Sequence, residues 1–122
     1  MTERAESPER PPHPLAVGDL PIACGYLRRG EGKRVSVPQL QERIMTHARE
    51  LGFALYHPIF VDLRPGSPLE RNAFRVLLDV VWELHITTVI TPSTWHLSQD
   101  EAEADEVHRR LTSYGCRVIF MR

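Results

Sequence analysis

Residues 24–34 read CGYLRRGEGKR. Arg28, Arg29, Lys33 and Arg34 crowd around Gly30 and Gly32 just where an apolar run gives out, which suits a loop that holds a phosphate or another anion. That loop offers no serine, threonine or histidine to act on what it holds. Two further stretches carry chemistry-bearing side chains: DLRPGSPLER, 62–71, with Asp62, Arg64 and Arg71, and PSTWHLSQ, 92–99, with Ser93, Trp95, His96, Ser98 and Gln99. Cations that neutralise phosphoryl oxygens, a carboxylate and an imidazole are the parts of an acid–base or phosphoryl-transfer site, provided the fold brings the three stretches together.

The elements around them indicate that it does. Four short apolar runs, PIACGYL (21–27), FALYHPIFV (53–61), ITTVIT (86–91) and CRVIFM (116–121), read as strands covered on both faces. Pro58 interrupts the second, so its strand is expected in the later part, IFV. Between the runs lie three helical patterns, each with an N-terminal signal: Ser36 with Gln39, Ser67 with Pro68 and Glu70, and Ser98 with Glu101. Behind these signals come the stripes Leu40, Ile44, Ala48, Leu51; Ala73, Phe74, Leu77, Leu78, Val81; and Ala104, Val107, Leu111. Gly52 and Gly115 stand where helices should stop. The order β-α-β-α-β-α-β predicts an α/β three-layer sandwich with a mostly parallel sheet of four, or five, strands. In such sheets ligands bind beyond the carboxyl ends of the strands, and the three stretches follow the first three strands.

Composition bounds the rest. The chain has 122 residues, room for one domain. Residues 1–20, with Pro8, Pro11, Pro12 and Pro14 and only scattered apolar positions, read as a flexible tail ahead of a folded domain at 21–122. The tail has neither the apolar core of a secretory signal nor the acid-poor composition of a transit peptide. No apolar run reaches the ~18–20 residues of a membrane span. Cys24 and Cys116 sit in strand-like runs and read as buried, reduced thiols of a cytoplasmic protein. The six histidines show no ligand spacing, so no metal and no cofactor is expected. At a net charge of −1, any attraction for nucleic acid must be local.

The three strand-end stretches resemble the signatures of the serine recombinase (resolvase/invertase) catalytic domain, over about residues 22–121. That family opens with Tyr-x-Arg-x-Ser at the end of its first strand; here Tyr26 and Arg28 match, and Gly30 occupies the serine position. The second signature, an Asp at the end of strand two and an Arg nine residues on before an apolar helix, is met by Asp62 and Arg71. The third, Asp-Arg-Leu-x-Arg, is replaced by WHLSQ: Trp95, His96 and Gln99 stand for the Asp and both arginines, and Leu97 is kept. The resemblance implies a resolvase-like fold and, by descent, DNA strand exchange through a phosphoserine. Glycine has no hydroxyl to attack with, so it also implies a pseudoenzyme with no catalytic residue.

Arg28, Asp62 and Arg71, with Arg29 and Arg64 nearby, remain candidates for phosphate or DNA contact; an ion pair of Asp62 with Arg28 or Arg71 is the plain structural alternative. Ser36 and Ser98 are explained as helix caps, and Ser93 has no acid–base pair beside it. The acidic run DEAEADE, 100–106, suits a helix start and would repel phosphate at the third strand end. A binding or regulatory module, engaging a protein partner or a second copy through helix faces, is therefore the leading expectation. DNA or phosphate binding in site-specific recombination is the alternative, and DNA contact is expected to be weak. An enzyme of another class would need His96 and Asp62 to converge in one pocket. A phosphoacceptor receiver domain would need an acidic pair after the first strand, which is missing.

Overall fold

The longest strand, β2 (Leu20–Arg28), is buried on both faces from Ile22 to Arg28 and organises the domain. Its alternate residues serve two cores. Ile22, Cys24 and Tyr26 join one, and Ala23 and Leu27 the other. The computed structural model describes residues 16–17, 20–28, 36–62, 72–98 and 100–121. In chain order the elements are β1 (Ala16–Val17), β2, α1 (Val37–Leu51), β3 (Ala54–Leu55), β4 (Phe60–Asp62), α2 (Asn72–Leu84), β5 (Thr88–Thr91), α3 (Thr94–Leu97), α4 (Glu101–Ser113) and β6 (Arg117–Phe120).

On one side β2 pairs in parallel first with β3 (Ile22 opposite Ala54) and then with β4 (Arg28 opposite Asp62). On the other side it pairs in parallel with β5 (Cys24 opposite Val89), and β5 with β6 (Val89 opposite Val118). The expected α/β sandwich with a mostly parallel sheet is what the chain forms. α1 covers one face, through Ile44 and Ala48 on Ala23, Leu27, Ile59 and Ile90. α2 and α4 cover the other, through Phe74, Leu77, Val81, Val107 and Leu111. Each of these fully buried side chains contributes about 1.5–3 kcal/mol by leaving water.

Several local expectations change. The run before Pro58 is not lost to the sheet: Ala54–Leu55 completes a short ladder with β2 before the break, and Phe60–Asp62 resumes it. The His57–Pro58 peptide bond in the interruption is cis. Within the stretch expected as a tail, Ala16–Val17 pairs antiparallel with Leu20–Pro21. A short helix, α3, follows β5 where no helix was expected. The α1 capping box stands as read: the Ser36 hydroxyl accepts from the Gln39 amide at 3.3 Å and Gln39 Oε1 accepts from the Ser36 amide at 3.2 Å. Gly52 ends α1 at φ 86°, a left-handed conformation that glycine takes without strain.

Cys24 and Cys116 are free and buried. Burial pushes both thiols up to about 12, with the neighbouring Cys116 adding to the effect at Cys24. At pH 8 roughly one thiol in ten thousand is then ionised, and the thiolate is the reactive form. Native protein should therefore show no labelling by a disulfide-exchange reagent, and unfolded protein should release two equivalents from Cys24 and Cys116. These thiols ionise near 9 when unfolded, so their contribution is intact below that pH and declines as pH rises above it. A stability profile measured from pH 8 to pH 10.5 should fall accordingly, and Cys24→Ala should flatten it.

Candidate functional site at the carboxyl ends of the strands

β2, β4 and β5 run in parallel, so their carboxyl ends open on the same side of the domain. Arg28 closes β2 and Asp62 closes β4, opposite one another in register. Thr91 closes β5, and α3 then carries His96 back toward β2.

Asp62 is only 6% exposed, and its carboxylate is fully engaged. The Tyr26 hydroxyl donates to Oδ2 at 2.6 Å, the Phe74 amide to the same oxygen at 3.1 Å, and the Ala73 amide to Oδ1 at 2.9 Å. Pairing explains the first bond. Tyr26 lies opposite Phe60, so Asp62, two residues on, is its diagonal neighbour on the same face. The other two satisfy amides at the start of α2, where the helix dipole also favours a negative charge. An edge-on contact with Phe74, 5.3 Å between centroids, fixes the tyrosine ring. Asp62 thus accepts from a tyrosine and a helix start, and no ion pair joins it to Arg28. Strand register alone puts the tyrosine on the aspartate's own face, and no local sequence pattern signals it.

His96 is buried, and its Nδ1 accepts the Arg28 backbone N–H at 3.0 Å. β5 has ended by that level, so the imidazole supplies the acceptor that a longer strand's carbonyl would have given. Leu97, 1% exposed, anchors α3 in the core beside it. Ser98 does not make the expected box with Glu101. Asp100 is the N-cap of α4, while the Ser98 hydroxyl donates to Glu103 Oε1 at 2.6 Å and accepts the Asp100 amide at 3.0 Å. Its hydroxyl is a local staple at the helix entry.

Of the sequence-predicted residues, Arg28, Asp62 and His96 are brought to one end of the sheet, and Trp95 lies on α3. Arg29, Gly30, Lys33, Arg34, Arg64, Arg71 and Gln99 lie outside the described residues. The Thr91 hydroxyl, fully buried at the end of β5, has no hydrogen-bond partner among the described residues. The recess along the outer face of α1, lined by Arg43, His47, Glu50 and Met121 among others, contains none of these groups. Among the described residues no three histidine, cysteine or acidic side chains gather as metal ligands.

No family model matches the sequence, and no curated protein matches it. Solved structures do. The N-terminal catalytic domain of TP901-1 integrase superposes with a TM-score of 0.71 at 18% identity, covering 82% of this chain and 77% of that one. The C-terminal catalytic domain of ISC1926 TnpA, an IS607-like serine recombinase, gives 0.69 at 13% identity, with 83% and 70% covered. This chain has the fold of a serine recombinase catalytic domain. The product of the first open reading frame in transposon ISC1904 from Sulfolobus solfataricus P2 gives 0.62 at 15% identity, covering 83% and 66%. At these identities the likeness is one of architecture. Tyr26, Arg28 and Asp62 lie toward the adjacent carboxyl ends of β2 and β4.

Proposed function

We propose that this recombinase-fold domain performs no strand transfer and acts as a binding or regulatory module for a protein partner or a second copy. One observation carries the reading. The carboxylate and imidazole at the described strand ends hold backbone amides, Asp62 those of α2 and His96 that of Arg28. Groups so engaged hold the fold in place instead of offering a ligand a general acid or base. Gly30, at the position where the resemblance expects a nucleophilic serine, supports the same conclusion. The carboxylates Glu101 and Glu103 in the first turn of α4 add negative charge near the third strand end. Among the described residues no helix is long and apolar enough to cross a membrane, and two free buried thiols suit a reducing compartment.

A second reading, binding of DNA or another phosphate ligand, is favoured by the buried Arg28 at the strand ends. Salt separates the two. A site neutralising three or four phosphates would lose affinity about 40- to 150-fold between 50 and 200 mM salt. We expect no duplex binding at 50 mM salt and no covalent adduct on supercoiled DNA. Salt-sensitive binding that Arg71→Ala weakens would establish the second reading, and an adduct would overturn the first.

A further inference from the structure

We propose that His96 is a pH-operated latch that ties α3 to the end of β2 and is closed only while its imidazole is neutral. The Arg28 N–H is an obligate donor, so the nitrogen that accepts it must carry no proton. That places the single ring proton of the closed latch on Nε2. An imidazolium carries protons on both nitrogens. Nδ1–H would then face Arg28 N–H, donor against donor, in a site where both residues are only 7% exposed. Leaving buried donors without acceptors is costly, and turning α3 away from β2 relieves it.

Elements packed against α3 bear on the balance. β2 contributes the Arg28 guanidinium, which opposes a second positive charge, and Tyr26, whose hydroxyl is on Asp62 of β4. α4 contributes Asp100, Glu101 and Glu103 at its start, with Glu103 holding the Ser98 hydroxyl. Further along come Asp105, the exposed Glu106–Arg109 pair, Arg110 and His108, whose ring packs on Phe120. The carboxylates attract an imidazolium through space. Reversal of the Nδ1 contact is direct and outweighs them.

The sign follows. Unfolded histidine protonates near 6.5, about the ordinary value. Above that pH both states are neutral and the latch contributes in full. Below it the unfolded chain takes up a proton that the latched state refuses, so stability falls with pH.

The test is urea unfolding of the wild-type chain, His96→Asn and His96→Phe from pH 8 to pH 5. Asparagine Oδ1 can accept the same N–H and does not titrate. The ratio of wild-type to His96→Asn folding constants should be flat above pH 7 and fall by up to about tenfold per unit below 6.5. His96→Phe should be less stable than His96→Asn at every pH. Parallel profiles for wild type and His96→Asn would overturn the latch. If His96→Asn fails to fold, nitrogen-15 NMR of the unmodified chain decides. The latch requires an Nε2–H tautomer at pH 7.5 and an Arg28 amide resonance that moves with the His96 titration. An Nδ1–H tautomer, or an Arg28 amide indifferent to that titration, would rule it out.

Discussion

Replacing Asp62 by alanine should destabilise the domain by about 3–5 kcal/mol, because two buried donors and a half-buried one lose their acceptor at once. The donors are the Tyr26 hydroxyl and the amides of Ala73 and Phe74, and the site is buried enough that water does not easily replace the carboxylate. Tyr26→Phe removes one of the three and leaves the carboxylate two amides, so it should cost about 1–2 kcal/mol. Asp62→Asn keeps the volume but turns an amide group toward at least one donor, and should fall between the two. The single and double variants form a cycle. Once the carboxylate is gone, Tyr26→Phe should cost little or be favourable, giving a coupling of about 1–2 kcal/mol. Urea unfolding at pH 7.5 measures all four. An Asp62→Ala variant within half a kcal/mol of wild type would show that the strand-end carboxylate does not anchor α2.

That anchoring changes how the strand-end residues are understood. In sequence, Asp62 looks like a survivor of a reactive site and His96 like a substitute acid–base group, because their residue types are those of acids and bases. In the fold both hold backbone: one the start of α2, the other the end of β2. What was legible beforehand was local. The Ser36–Gln39 box spans three residues, the strand and helix stripes repeat every two or every three to four, and Gly52 sits next to the helix it ends. The architecture followed from their order. The two contacts that define the candidate site join residues 36 and 68 positions apart, and depend on strand register that no local pattern encodes. Ser98 shows the other way such reasoning fails. Two helix-start patterns overlap there, and Asp100 takes the N-cap while Ser98 reaches to Glu103 instead of Glu101. Pro58 misled for a third reason. Proline does break the ladder, but a parallel strand can pair on both sides of the break when its partner is as long as β2.

α1 lies so close on β2 that one strand position has no room for a side chain. α1 crosses β2 at Gly25, where an added Cβ would lie 2.9 Å from Ile44 Cγ2 and 3.3 Å from two carbons of Ile59. Gly25 is the missing side chain that lets the helix lie on the strand, and its conformation is ordinary extended backbone. Gly25→Ala should therefore destabilise by about 1–3 kcal/mol through overpacking, and Gly25→Val by more. Ile44 is fully buried, so Ile44→Ala alone should cost about 2–5 kcal/mol through the cavity it leaves. The two defects are complementary. Ile44→Ala removes the methyl that the new Cβ would strike, so the double variant should be more stable than the sum of the singles by at least about 1 kcal/mol. Additive losses would mean that Ile59, just before β4, resists the added carbon instead. In that case Ile59→Val, which can move back from β2, should restore Gly25→Ala where Ile44→Ala does not. Either outcome identifies the contact that sets the distance between α1 and the sheet, and with it where α1 begins beside the strand ends.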